Sequence, residues 1–332
     1  MVDHPSLPTG SLEPDATRPT EREAEAVFVV GVSRSGTTLL RRVLETSPRV
    51  GIAGENHFMG HLLRREGSRH YFEKLGDMRD DATVRRIVDF IYSGEYRRRS
   101  RLREPSHYWT WLVKNVPAED FTTRLLAEER SQRGMLRAMM RAYSDVYGRA
   151  VIGEKSPPHL WHVETLLEWF PRGRVIHMVR DPRAVYTSEI RRRRQKPKKP
   201  FSWIMKVPGA MEAVLLWQTT VVWAAAERRH RTLARRYPDR YLSLRFEDLV
   251  QDGRGQLPRV FDFIGVEVPP DPTDVKVVSQ GFRLGEEGLD SGAASRWREH
   301  ISPGADRWLR FFLGPAMRRF GYLPDAGSAP SS

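Results

Sequence analysis

The chain contains no cysteine. This excludes a disulfide framework, a thiol nucleophile and any zinc or iron–sulfur site with cysteine ligands. It also lacks an apolar run near the ~18 residues that a membrane span requires. The longest candidate, 213–226, is interrupted by Gln218, Thr219 and Thr220. No basic n-region followed by an apolar h-region opens the chain, so no secretory leader is predicted and a cytoplasmic protein is expected. Solenoid-type repeats are missing as well. What is present is 332 residues with 55 Lys and Arg against 42 Asp and Glu, a net charge of +13. Such a length folds without covalent staples, as one large α/β domain or two small ones.

The charge is uneven. Residues 1–25 carry six acids and two arginines together with Pro5, Pro8, Pro14 and Pro19, which predicts a disordered acidic arm. Residues 324–332 read as a flexible tail, leaving 26–323 as the folded domain. Arg174–Pro200 holds ten basic and two acidic residues. A run of this kind fits a solvated face, a nucleic-acid patch, an acidic membrane surface or a site for a small polyanion. A second cluster, Arg97, Arg98, Arg99, Arg101 and Arg103, reads as surface that can face an anionic acceptor.

Ala26–Gly31 is a continuous apolar run ending in glycine, as expected of a strand buried on both faces. Thr37 opens a helix with Leu39, Leu40, Val43 and Leu44 on one side. Further strands are predicted at Arg49–Ala53, Ala150–Gly153, Arg174–Val179 and Tyr241–Phe246. Helices are predicted over His159–Phe170, from Pro182 to about Arg194, and over Gly209–Arg236. Strands alternating with helices imply right-handed crossovers and a parallel sheet covered on both faces. The unusual polar groups follow the carboxyl ends of the strands, at Arg34–Thr38, Glu55, Lys155 and Arg180. Ligands bind along that edge in open α/β sheets, so these distant residues are expected to share one crevice.

Gly31-Val-Ser-Arg-Ser-Gly36-Thr37-Thr38 has the strand–loop–helix setting of a P-loop. Gly36 can take positive φ, successive backbone N–H groups can then turn inward on an anion, and the helix terminus adds partial positive charge. The G-x-x-x-x-G spacing is followed by Thr-Thr, not Lys-Ser/Thr. The lysine that spans the β and γ phosphates is thus missing, and the only early cation is Arg34. No apolar strand ending in Asp offers a magnesium partner. The loop suits a phosphate-bearing ligand other than ATP–Mg.

These segments resemble the sulfotransferases that use 3′-phosphoadenosine 5′-phosphosulfate (PAPS) and release 3′-phosphoadenosine 5′-phosphate (PAP). SRSGTTLL is similar to their 5′-phosphosulfate loop, and RVIHMVRDPRAVYTS to their 3′-phosphate segment, with Arg180 and Ser188 eight residues apart. GEKSPPHL and YLSLRFEDL resemble segments of bacterial members, with Phe246 where those have tyrosine. SRWREHIS and RRFGY resemble the closing segment, so the likeness covers about 26–322. It implies an α/β, P-loop-like three-layer fold with a four- to five-stranded parallel sheet and helical insertions.

The resemblance also implies roles. Arg34, Ser35, Gly36, Thr37 and Thr38 would hold the 5′ end, and Arg180, Ser188 and Arg192 the 3′-phosphate, with Arg296 as a further nucleotide contact. A guanidinium suits bidentate phosphate contacts, and Ser188 and Arg192 share a helix face. Arg34 and Lys155 would stabilise charge on the leaving phosphate, unless Lys155 is taken up by neighbouring Glu154. Glu55 lies 21 residues beyond Arg34, the offset of the catalytic glutamate in tyrosylprotein and related Golgi-type enzymes, and is the candidate general base. His57, His61, His159 and His162 compete with it; His159 and His162 alone do not make a metal site, and none is expected. Residues 57–149 and 200–235, with His57, Phe58, Tyr108, Trp109, Trp111, Trp203 and Trp217, would shape a cleft for a small-molecule or glycoconjugate hydroxyl acceptor. Two other readings stay open: a nucleotide or small-molecule kinase with an altered P-loop, and a nucleic-acid-binding protein using Arg174–Lys199.

Overall fold

Alternation along the first strand explains the layers. Ala26, Phe28 and Val30 point into one apolar cluster and Val27 and Val29 into another, so the strand is buried on both faces. The structure, a computed structural model, describes residues 18–60, 67–96, 107–195, 207–278 and 284–325. Its main sheet comprises β1 (Ala26–Gly31), β2 (Val50–Ala53), β3 (Val151–Lys155), β4 (Arg174–Val179) and β5 (Tyr241–Arg245). The strands are all parallel, in the order β2-β3-β1-β4-β5. A two-stranded antiparallel ribbon, β6 (Lys276–Val278) and β7 (Leu284–Glu287), was not predicted.

The helices are α1 (Thr37–Leu44), α2 (Ser68–Glu73), α3 (Asp81–Tyr92), α4 (His107–Asn115), α5 (Ala118–Ala127), α6 (Gln132–Val146), α7 (Val163–Trp169), α8 (Pro182–Gln195), α9 (Ala210–Arg236), α10 (Phe246–Gln251), α11 (Gly253–Ile264) and α12 (Pro303–Arg319). One sheet face packs against α3 to α7 and the inner side of α9, through Ile87, Phe121, Leu136, Leu166 and Leu233. The opposite face packs against α1, α10 and α11 through Leu40, Val43, Leu249 and Phe261. A third cluster joins α8, α9 and α12. This is the three-layer α/β arrangement expected.

The sheet order positions the site. From β1 the chain crosses to β2 on one side, and from β4 it moves to β5 on the other. The chain therefore diverges at the carboxyl ends of β1 and β4, which creates a crevice there.

Several expectations change. β3 runs on through Glu154 and Lys155 instead of ending at Gly153. The helix predicted at His159–Phe170 starts as a 3₁₀ turn, Pro157–His162, and is α-helical only from Val163. The predicted arm loses its last residues to the fold. Glu23 is buried against Arg49 at 2.7 Å, and Ala24 donates its N–H to the carbonyl of Ile264 at 2.9 Å. Residues 1–17, the Arg97–Arg103 cluster and 326–332 lie outside the described residues. Tyr108, Trp109 and Trp111 are buried core: the Tyr108 hydroxyl donates to the carbonyl of Met139, and Trp109 Nε1 to that of Asn56. Trp217 faces outward on α9, and Trp203 lies outside the described residues.

Candidate active site

Glu55 follows β2, Lys155 ends β3, the glycine loop follows β1, and Arg180 follows β4. These strands are neighbours in that order, so the four groups line one rim. In the loop Arg34 has φ 75° and Gly36 φ 88°, both left-handed. A side chain on Gly36 would put its Cβ 2.3 Å from the Phe246 ring, so the ring seats directly on the loop. Ser35 and Thr37 are buried in the turn, while Thr38 is exposed at the start of α1.

Arg180 holds this turn from the neighbouring strand. Its Nη1 donates to the carbonyl of Arg34 at 3.0 Å and its Nη2 to that of Ala293 at 3.1 Å. The guanidinium lies 4.1 Å from the Phe246 ring centre. Burial pushes its pKa down to about 10, partly offset by Glu247, so it stays charged at neutral pH. Its Nε is buried with no hydrogen-bond partner among the described residues.

Arg34 turns its side chain to α8, where Nε donates to Ser188 Oγ at 3.0 Å. Burial lowers its pKa, with Glu189 opposing and Arg192 adding to the effect. Arg192 lies 3.6 Å from Glu189, which also holds Arg193 at 2.8 Å. Arg296 is tied to Asp290 and lies close enough to Arg191 to help depress that guanidinium, chiefly lowered by burial. The structure thus brings Arg34, Ser188 and Arg192 together, with Arg296 further along α8 through Arg191.

Lys155 Nζ and Glu55 Oε1 are 2.5 Å apart. Lys155 does not pair with Glu154, because adjacent strand residues point to opposite faces. Glu154 instead sits in a buried cluster, bound by His159 and Ser156 and by Asn56 Nδ2 at 2.6 Å. Asn56 Oδ1 accepts the N–H of Phe58, and His159 Nε2 accepts that of Met59. This cluster therefore anchors the segment that carries Glu55.

The histidines separate accordingly. His159 is buried in the cluster, and His162 Nε2 bonds the carbonyl of Gly60 at 3.0 Å. His57 alone among the described candidates lies near Glu55, at 3.8 Å, with φ 52° and its pKa lowered by burial against the pull of Glu55. His61 lies outside the described residues. No group of His, Asp and Glu among the described residues is arranged to hold a metal ion.

The rim thus gathers a glycine loop at a helix N-terminus, the cations Arg34, Lys155 and Arg180, and the carboxylate of Glu55. The family model for sulfotransferases matches residues 26–270. The chain belongs to the sulfotransferase family. Two relatives, the omega-hydroxy-beta-dihydromenaquinone-9 sulfotransferases Stf3 of Mycobacterium bovis and Mycobacterium tuberculosis, are 28% identical over 256 residues. That alignment covers 72% of this chain and 62% of theirs, so the chain spans less than two thirds of their length. The sulfotransferase domain of the Synechococcus PCC 7002 olefin synthase superposes at TM-score 0.46, 22% identical, over 89% of this chain and 97% of that one. Mouse SULT7A1 complexed with PAP superposes at TM-score 0.47, 14% identical, over 91% and 87%.

The site has features that sequence reasoning missed. Glu189 organises the arginines of α8, and Trp223 Nε1 donates to the Arg180 carbonyl at 2.9 Å. The basic stretch spends most of its described charge internally. Arg174 bonds a backbone carbonyl, Arg183 is buried against Asp181 at 2.6 Å, and Arg194 holds Glu212 at 2.8 Å. Residues 196–199 lie outside the described residues. The run of charges was legible, but not the Phe263 carbonyl and Glu212, which come from other elements of the fold.

Proposed function

We propose that the chain transfers the sulfuryl group of PAPS to a hydroxyl of an apolar small molecule, with Glu55 as general base. The observation that carries this reading is the 2.5 Å contact between Lys155 and Glu55 on the rim that also bears the glycine loop and Arg180. Family membership supplies the reaction class.

The residues fit a donor with two anionic ends. The turn of Ser35, Gly36, Thr37 and Thr38 opens α1, where backbone N–H groups and the helix dipole favour an anion. Arg180 keeps a buried Nε–H without a partner among the described residues, and an unsatisfied charged donor there favours an anionic ligand. Ser188, Arg192 and Arg296 would complete the 3′-phosphate side, with Arg34 and Lys155 on the 5′ side.

PAPS, when bound, supplies a sulfuryl group whose sulfur–oxygen bond to the 5′-phosphate breaks as the acceptor oxygen bonds to sulfur, with PAP leaving. Glu55 takes the acceptor's proton. The Lys155 ammonium has three donors, so it can hold Glu55 and still neutralise the leaving phosphate. Asn56 and His159 keep Glu55 on the rim through the backbone that follows it. A mixed cavity is lined on one side by Phe58, Phe72, Met78 and Met135 and on the other by Arg69, Glu73, Asp77, Arg130, Ser131 and Gln132, and its apolar side suits an apolar acceptor. The relatives named for a menaquinone-derived acceptor point the same way.

Thermal shift with PAP and with ATP–Mg tests the donor. PAP at a hundred times its Kd should stabilise the fold by about 2.7 kcal/mol, and ATP–Mg should not. Stabilisation by ATP–Mg alone would reject the donor assignment. A PAPS-coupled screen of lipid and polar extracts, with mass detection of sulfo adducts, tests the acceptor; adducts confined to the polar fraction would reject an apolar one.

A further inference from the structure

We infer that the outward faces of α9 and α12 form a docking surface for an anionic lipid bilayer. On α9, Val214, Trp217 and Val221 recur at helical spacing on the solvent side. Trp308, Phe311 and Phe312 do the same on α12. These are large exposures for such groups: Phe311 80%, Trp217 58%, Phe312 51% and Trp308 40%. The two stripes are adjacent, since Trp308 Nε1 donates to Thr220 Oγ1 at 3.0 Å, between Trp217 and Val221. Scattered exposed apolar residues are ordinary, but a contiguous aromatic patch marks an interaction surface.

Its packing argues against a merely unfinished core. The inner sides of both helices already meet through Leu215, Trp223, Leu309 and Leu313. The exposed parts of the outer aromatics are therefore not needed to close the core, and leaving them in water costs free energy.

Charge identifies the occupant. Beyond Val221 the α9 stripe continues into exposed Arg228 and Arg231, and Arg307 lies four residues before Phe311 on α12. Arg318 and Arg319 close the far end of α12. The neighbouring carboxylates are already bound to arginine: Glu227 to Arg231 and Arg319, and Asp306 to Arg183 and Arg310. Tryptophan and phenylalanine bordered by arginine match the interface of an anionic membrane, where rings enter the headgroup layer and guanidinium groups meet phosphate. A second copy of the chain would bring the same positive rim against itself. No described helix is long and apolar enough to cross a membrane, so this is attachment at the surface.

The test is co-sedimentation of the full chain with vesicles of phosphatidylcholine alone or mixed with phosphatidylglycerol. Binding is expected to the mixed vesicles, weakening as salt rises. Phe311→Ser and Trp217→Ser should each reduce it about tenfold or more, from the transfer of a buried ring. Arg228→Gln with Arg307→Gln should reduce it about 25-fold, about fivefold for each arginine. All four positions are exposed, so melting curves by circular dichroism should match wild type. No binding to mixed vesicles, or binding that the substitutions leave unchanged, overturns the inference. A dimer seen by light scattering and dispersed by Phe311→Ser also overturns it, assigning the face to a second copy. Neither result bears on the donor or the acceptor.

Discussion

The guanidinium of Arg180 stacks 4.1 Å from the ring centre of Phe246, and that ring in turn lies on Gly36. The ring and the Arg180 hydrogen bond to the Arg34 carbonyl together set the distance between the glycine loop and the cation beside it. A buried cation–π pair contributes about 2 kcal/mol, and removing the ring also frees Arg180 to tilt. Phe246→Ala is therefore expected to weaken PAP binding about tenfold or more, measured by calorimetry, while Phe246→Tyr keeps it near wild type. Equal affinity in the alanine variant would show that the ring does not organise the anion site.

Removing the charge of Glu55 separates binding from turnover. Glu55→Gln keeps the shape but cannot accept a proton, so turnover should fall by about 10²-fold or more with PAP affinity retained. Lys155→Ala should lower both, because it removes a cation from the donor as well as the partner at 2.5 Å. Single-turnover rates and PAP calorimetry on both variants make the comparison. Near-normal turnover in Glu55→Gln would pass the base role to His57, the neighbour at 3.8 Å.

Most of the sheet and the rim were legible because strand ends announce themselves. Apolar runs stop abruptly at Gly31, Ala53 and Val179, and the polar residues that follow fall on one edge. The orientation of Glu154 and Lys155 is not legible from an apolar run that stops at Gly153. Once the strand includes both residues, alternation sends one to the buried cluster and the other to the rim. The aromatics were ambiguous for another reason. Trp111 and Trp217 both sit at helical spacing, and only tertiary neighbours decide that one is core and the other exposed. The Asp181–Arg183 pair, closed by the Tyr322 carbonyl, likewise depends on a residue 139 positions away.

One buried and one half-buried imidazole make stability depend on pH. Burial lowers the pKa of His177 from 6.5 to about 3, with His230 contributing, and that of His162 to about 4, with His159 and Arg69 contributing. In both cases the unfolded chain binds protons that the folded chain refuses. Their stabilisation is therefore complete above about pH 6.5 and is lost as pH falls toward 4 and then 3. Each group contributes a slope of about 1.4 kcal/mol per pH unit within its window. Urea denaturation at pH 7 and pH 5 should show this loss, and His177→Gln should flatten it. An unchanged slope in that variant would mean that His177 protonates freely in the folded state.

Gly36 is where backbone and ligand demands coincide. Its φ of 88° is open to glycine and strained for alanine, by about 1 kcal/mol or more. A Cβ would also meet Phe246 at 2.3 Å, displacing the ring that supports Arg180. Backbone strain alone would lower stability without selectively affecting the anion. The ring's displacement instead couples the two, so Gly36→Ala should lose both melting temperature and PAP affinity. Adding Phe246→Leu to Gly36→Ala removes the clash but not the strain. The double variant should therefore regain part of the melting temperature while PAP binding stays weak, since Arg180 still lacks its aromatic support. Recovery of PAP affinity in the double variant would show that the loop, not the stacked ring, sets the position of the Arg180 cation.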